Sequence, residues 1–297
     1  MPRLLVRAAQ LGAGAIAAFG MLVAVQVVRL RRLRLLPGHP GFWISHVVTP
    51  SNGVASGARL FLVVFGDSTT AGVGVDDAEA SLPYRLAQLV ADARGRPVRV
   101  LSFGWAGARV ADVARGQVAH ALRPRRSGEV APLRAADLVA VVVGANDATH
   151  RTRPSRFRRD LRMALDRIGD TAPQAEVVVA GVPRLRGALP HLEPLISLAH
   201  AYASPLRRIQ RQEAERAGAG YADLARDVLP RLRGRIDPAT AMSADGFHPG
   251  PPVYAAWAEV IAEALGKGAE EAATRPRAAR SGRASGPSRP PVDGTGG

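Results

Sequence analysis

Apolar residues are distributed along this chain in three patterns. The first is a single long run, residues 8–28, AAQLGAGAIAAFGMLVAVQVV, which is uncharged over 21 positions. The second is a set of short apolar runs, Arg59–Phe65, Val98–Ser102, Leu138–Val143, Glu176–Ala180 and the weaker Gly220–Leu224. Their length and their β-branched content predict strands. The third is a set of longer segments with apolar residues at helical spacing: Ser81–Ala93, Ala108–Leu122, Ser155–Ile168, His191–Ala217 and Tyr254–Leu265. In Ser155–Ile168, for example, Phe157, Leu161, Leu165 and Ile168 fall on one side; His191–Ala217 carries a potential break at Pro205. Strands that alternate with helices need crossover connections. They predict an α/β domain whose parallel sheet is covered on both faces. In such sheets, function gathers at the carboxyl ends of the strands.

The long run has the length of one transmembrane helix. It is only moderately hydrophobic, being rich in Ala and Gly and holding Gln10 and Gln26. A cleaved signal peptide would need a shorter apolar region and a small-residue cleavage site. The far end here is VQVVRLRRLR, which predicts an uncleaved, single-pass anchor over residues 1–36 rather than a signal peptide or a core helix. Arg3 and Arg7 precede the run, and Arg29, Arg31, Arg32 and Arg34 follow it. That bias favours a cytoplasmic domain, and the α-amino group narrows it, so the side stays open. Residues 37–58 are rich in Pro, Gly and Ser and are expected to form a linker, with Phe42 and Trp43 at the lipid interface or packed on the domain. The main domain is expected at 59–266. Residues 267–297, almost without bulky apolar residues, are expected to be a disordered tail.

Composition adds two limits. With 47% hydrophobic residues the chain can build a sizeable core, and with no cysteine it can form neither disulfides nor thiolate metal sites. The formal net charge is +15, but Arg3 to Arg34 and the basic tail hold much of it, and arginine stands for lysine everywhere except Lys267. The charge is a compositional habit spread over the chain, which argues against a nucleic-acid partner.

The residues after the strands carry the chemistry. The first strand leads into GDSTTAGVG, the second into FGWAGA, the third into GANDAT, and SADGFHPG precedes the last helix. The first loop is no phosphate cradle. A Walker loop needs a lysine where Val73 stands, a dinucleotide fingerprint needs a glycine where Asp77 stands, and Asp67 would repel an anion. It is no G-x-S-x-G elbow either, because Thr69 and Thr70 follow Ser68. Together, however, the four segments supply a hydroxyl, a carboxylate and imidazole three residues apart, and several potential oxyanion donors. Acyl transfer from an ester needs these parts.

In this combination the chain resembles the SGNH (GDSL) hydrolase superfamily. Gly66-Asp67-Ser68 matches the first family block, Gly144-Ala145-Asn146-Asp147 the third, and Asp245-Gly246-Phe247-His248 the last. The second block keeps Gly104 and Gly107 but replaces the usual Asn and Ser. The resemblance, over about residues 59–266, implies a three-layer α/β/α sandwich around a flavodoxin-like, five-stranded parallel sheet. It implies Ser68 as nucleophile, His248 as base and Asp245 as its orienting carboxylate. Ser68, Gly104 and Asn146 would form the oxyanion hole, with no cofactor or metal. The implied activity is ester hydrolysis, with an acyl ester substrate of lipid or acylated-glycan type. Acyl transfer, carbohydrate deacetylation and a non-catalytic tethered binding domain are the alternatives. Asp67 and Asp147 are expected to tie down their own loops, and Arg109 to be a solvated helix-start residue. Trp105 is expected in a substrate pocket or the core. His39, His46, His120, His150, His191 and His200 are expected to be surface or packing residues. Residues 69–77 are expected to rim the site.

Overall fold

The computed structural model describes residues 2–32, 44–185, 192–237 and 240–274. His39, Phe42, Trp43, His191 and the tail from residue 275 lie outside the described residues. The sheet is built from β1 (Ser45–Val48), β2 (Leu60–Gly66), β3 (Val98–Ser102), β4 (Leu138–Val142), β5 (Glu176–Ala180) and β6 (Gly220–Ala222). Their order is β1-β3-β2-β4-β5-β6. The last five are parallel, with Val64 of β2 opposite Ser102 of β3 and Ala140 of β4. This is the expected flavodoxin-like arrangement.

β1 is an addition to the expected five strands. It pairs antiparallel with β3, Ser45 opposite Leu101, so part of the segment taken as linker belongs to the sheet. It buries only Val48 along its own length, and Ile44 just before it. An edge strand with one buried face carries too short an apolar pattern to stand out.

Alternation along the strands feeds two cores. Leu62 and Val64 face one layer, while Val63 and Phe65 face the other. The first layer holds α2 (Leu82–Arg94), α8 (Leu224–Leu232) and α9 (Pro251–Thr274), with Tyr254, Trp257 and Ile261 packed inward. The second holds a rod at 110–121 together with α6 (Pro154–Thr171) and α7 (Leu195–Ala217). The rod comprises α3 (Val110–Asp112), a π-helical turn at Val113–Gln117, and α4 (Val118–Ala121). A short α5 (Ala145–Thr149) follows β4 directly.

Three expectations change here. α7 runs unbroken through Pro205, because Ala203, Leu206 and Ile209 bury one face on both sides of it. α8 was not foreseen. Pro230 sits inside it, but Asp223 caps its start and Leu224 and Val228 are buried. α9 continues to Thr274, so the tail expected to be disordered is helical at its start; its Ala and Glu are strong helix formers.

α1 (Pro2–Arg32) is the expected apolar helix. Ile16, Phe19, Met21, Leu22, Val25 and Val28 are exposed on it. Gln26 is buried instead. Its side chain donates to the Glu193 carbonyl and accepts from the Leu195 amide at 3.1 Å.

Candidate active site

The loop after β2 is held at both backbone polar groups of Gly66. Gln117, pointed inward by the π turn, accepts from the Gly66 amide at 2.9 Å and donates to the Gly66 carbonyl at 2.7 Å. Beyond Gly66 the chain coils tightly. The Asp67 carbonyl accepts from the Thr70 and Ala71 amides, and the Ser68 carbonyl accepts from Val73. Asp67 Oδ1 accepts from the amide and hydroxyl of Thr69 at 3.0 and 2.8 Å, so Asp67 does tie down its own turn. Burial pushes its carboxyl above the usual carboxylate range, against the Thr69 hydrogen bonds and nearby His248. Thr70, Val73 and Val75 are buried. The segment expected as a rim is therefore mostly interior. Val73 turns in because its carbonyl accepts from the Tyr254 hydroxyl of α9 at 2.6 Å.

The loop after β3 packs onto this coil. Ser102 donates its hydroxyl to the Thr70 carbonyl at 2.7 Å, and the Gly104 amide makes a long contact of 3.3 Å to that hydroxyl. A Cβ on Gly104 would stand 1.9 Å from Thr70 Oγ1 and 2.9 Å from the Asp67 carbonyl, so only glycine permits this approach. Trp105 does not belong to the core. It is 42% exposed, with its ring over Gly116 of the π turn.

The loop after β4 locks to the same region. Asn146 donates from Nδ2 to the Ala108 carbonyl at 3.0 Å, which commits one of its two amide hydrogens. Asp147 Oδ2 accepts from the Val110 amide at 2.9 Å. Asp147 thus anchors the neighbouring loop and, through Thr152, its own as well; burial pushes its carboxyl up against both hydrogen bonds. His150 Nδ1 lies 2.9 Å from the Asn146 carbonyl and therefore donates to it. His46 and His120 do pack, against the rings of Tyr84 and Phe103.

The last block closes the arrangement. Gly246, at φ +65°, lets the chain turn back so that Met242 bridges Pro249. Asp245 Oδ1 accepts from the Ser243 hydroxyl and from the Phe247 and His248 amides at 2.8 to 2.9 Å. Its Oδ2 lies 2.6 Å from His248 Nδ1. Burial raises the Asp245 carboxyl, but the His248, Phe247 and Ser243 hydrogen bonds outweigh it and hold the group well below the usual range. His248 Nε2 stands 3.0 Å from Ser68 Oγ, with both residues over nine-tenths buried. Three residues that span 180 positions of sequence thus form one hydrogen-bonded chain. Among the described residues no group of three His, Asp or Glu side chains is placed to hold a metal.

Residues 64–285 match the GDSL-like lipase/acylhydrolase family. The chain belongs to that family. Its members are ester-bond hydrolases; three of the four blocks follow β2, β3 and β4, and the fourth directly precedes α9. A GDSL-like esterase of Mycobacterium tuberculosis is 30% identical over 204 residues, which is 69% of this chain and 61% of that protein. The match thus spans about three fifths of that relative's length. Two crystal structures share the fold of this GDSL-like chain. A lipase from a goat rumen metagenome has a TM-score of 0.54 at 18% identity, covering 69% of this chain and 97% of its own. A lipase/acylhydrolase from Enterococcus faecalis has a TM-score of 0.52 at 22% identity, covering 70% and 96%.

Several supporting residues gave no clear signal in the sequence. Gln117 lies in a helical pattern where a polar residue reads as surface. Ser102 and Ser243 look like ordinary loop serines. Their roles depend on backbone groups brought near only by the fold.

Proposed function

We propose that this chain hydrolyses carboxylic esters through Ser68, His248 and Asp245. The observation that carries the reading is the relay of 3.0 Å from Ser68 Oγ to His248 Nε2 and 2.6 Å from His248 Nδ1 to Asp245. An ionised Asp245 only accepts, so Nδ1 carries the imidazole proton and Nε2 turns its lone pair to Ser68. Ser68 Oγ attacks the ester carbonyl as its proton passes to Nε2. The tetrahedral oxyanion is received by the Ser68 and Gly104 amides and by the second amide hydrogen of Asn146. The C–O bond to the alcohol breaks, and His248 protonates the departing oxygen. Water then attacks the acyl-serine, gives its proton to Nε2, and releases the acid and the free serine.

The test uses the full chain in detergent with p-nitrophenyl acetate and butyrate, alongside Ser68→Ala. The expected outcome is turnover by the wild type, residual rates in the variant, and fluorophosphonate labelling at Ser68 alone. Equal rates and no labelling would overturn the mechanism.

The same reading places α1 in a membrane. Its exposed apolar side chains support this, and so does its buried end. Gln26 binds the Glu193–Leu195 segment, and the adjacent Leu192 and Ile196 pack with Phe247, the neighbour of His248. The site mouth then lies near the lipid surface, where acyl esters of lipid or envelope glycan meet it. Carbonate extraction of membranes checks the anchor: the chain stays with the pellet, and residues 37–297 alone do not.

A further inference from the structure

Of residues 12–29 in α1, Gln26 alone is buried, at 3% exposure, while Val25 and Val28 beside it are 44% and 46% exposed. A side-chain amide in an apolar helix costs free energy unless it finds partners, and in a membrane-type helix such a residue usually has a task. Gln26 finds both of its partners in the backbone at the start of α7.

That start lacks a cap of its own. The N-cap residue is Pro194, which has no N–H and forms no side-chain cap. The amide of Leu195, the first residue of α7, donates to Gln26 Oε1 at 3.1 Å, and Gln26 Nε2 donates to the Glu193 carbonyl. The Ser197 amide donates to Glu193 Oε2 at 3.2 Å. One side chain of α1 thus caps a 23-residue helix of the domain and clamps the backbone on both sides of Pro194.

The clamp holds a small apolar cluster. Leu192 and Ile196, one on each side of it, are buried but belong to neither of the two cores. They pack with Leu185 and Phe247. The Leu185 amide reaches His200 Nδ1 of α7 at 3.4 Å, so it too depends on where α7 begins. A cluster with so few buried apolar residues has low local stability, and a backbone clamp can decide its order.

Phe247 carries that order to the site. Its ring meets the His248 ring edge to face, with 5.1 Å between centroids and 85° between planes. Its amide donates to Asp245 Oδ1 at 2.8 Å. Asp245 fixes His248 at Nδ1, but one hydrogen bond leaves a ring free to tilt about it. The Phe247 ring limits the tilt, and the tilt sets how squarely Nε2 faces Ser68 Oγ at 3.0 Å.

We infer that Gln26 is a positioning residue for His248: α1 caps α7, and Leu192, Ile196 and Phe247 carry the constraint to the imidazole. The apolar helix is then a working part of the hydrolase domain as well as its anchor. The task of His248 as base rests on the esterase reading, whereas the clamp stands on its own hydrogen bonds.

The full chain in detergent is compared with Gln26→Leu, which keeps the helix former and removes both hydrogen bonds. On p-nitrophenyl butyrate kcat falls about tenfold while KM stays within about twofold, and fluorophosphonate labelling of Ser68 slows by a similar factor. Val28→Ala, on the exposed side of α1, changes neither. In a Phe247→Ala background, Gln26→Leu costs less than about twofold more, because the two residues act along one route. Hydrogen exchange reads the clamp without catalysis: the amides of residues 195–198 exchange about tenfold faster in Gln26→Leu, and those of α6 do not change. Wild-type kcat in Gln26→Leu, or an equal loss in Val28→Ala, would overturn the role of Gln26. A higher KM at unchanged kcat would make the cluster a substrate wall and overturn the positioning role. A second full tenfold loss on top of Phe247→Ala would overturn the route through that ring, and unchanged exchange would overturn the clamp. Should the wild type neither hydrolyse the ester nor label, the esterase reading fails while exchange still reports on the clamp.

Discussion

At the scale of single residues, Asp245 shows how tightly the proposed mechanism is fixed by hydrogen bonding. Its Oδ1 faces three donors and its Oδ2 faces His248 Nδ1. In Asp245→Asn the amide oxygen must take the place of Oδ1, because an NH2 group there would meet three donors. The NH2 then points at Nδ1 and forces the proton onto Nε2, so the imidazole presents a hydrogen to Ser68 instead of a lone pair. A loss in kcat of about 10⁴ is expected at neutral pH. Stopped assays on p-nitrophenyl butyrate measure it, and a loss below tenfold would refute the tautomer argument. Of the proposed site, Ser68, Gly104 and Asn146 were legible because their blocks follow strands, and Asp245 and His248 because their block precedes the last helix. The residues that hold them were not. Nothing in the sequence distinguishes Ser243 from any loop serine until Asp245 is seen to accept its hydroxyl.

At the scale of elements, two buried glutamines close the functional edge of the sheet. Gln117 spans both backbone groups of Gly66. Gln210 of α7 accepts from the Val182 amide at 2.9 Å and donates to the Val143 and Ala180 carbonyls at 2.8 and 3.0 Å. Both side chains are fully buried and replace the sheet hydrogen bonds that end there. Gln117→Leu fills the same space but leaves the Gly66 amide and carbonyl unpaired. A destabilisation of about 2–6 kcal/mol is expected, at about 1–3 kcal/mol for each buried group. Urea unfolding measures it, and a change within about 0.5 kcal/mol would show that Gly66 finds other partners. The central strands were legible because burial on both faces makes them near-continuous apolar runs. β1 was not, since its side chains are mostly exposed. α8 was not, since Pro230 hid it, and in α7 the buried face outweighs Pro205.

At the scale of the molecule, a chain rich in arginine is held together by a few buried acids. Glu213 of α7 is the clearest. Its carboxylate lies 2.8 to 2.9 Å from Arg158 and Arg162 of α6 and from Arg216, which also reaches Asp166 at 2.8 Å. Burial raises the Glu213 carboxyl, but the arginine hydrogen bonds outweigh that and bring it from 4.5 to about 2. The carboxylate is covered while its arginines are 28% to 48% exposed, so solvent screens part of the attraction. A contribution on the order of 1–3 kcal/mol is expected. Its pH dependence follows from the depressed value. Above pH 4.5 the group is ionised in both folded and unfolded chains, and the contribution is complete. As pH falls from 4.5 towards 2, the unfolded chain takes up the proton first, and the contribution drains away. Glu213→Gln removes this titration and leaves those of Asp245 and the other acids in place. The stability gap between wild type and variant in detergent should therefore be widest at neutral pH and shrink by more than half near pH 3. Urea unfolding at the two pH values measures it. A gap that stays constant would mean that α6 and α7 are joined by their apolar faces, with the ion cluster contributing nothing to their union.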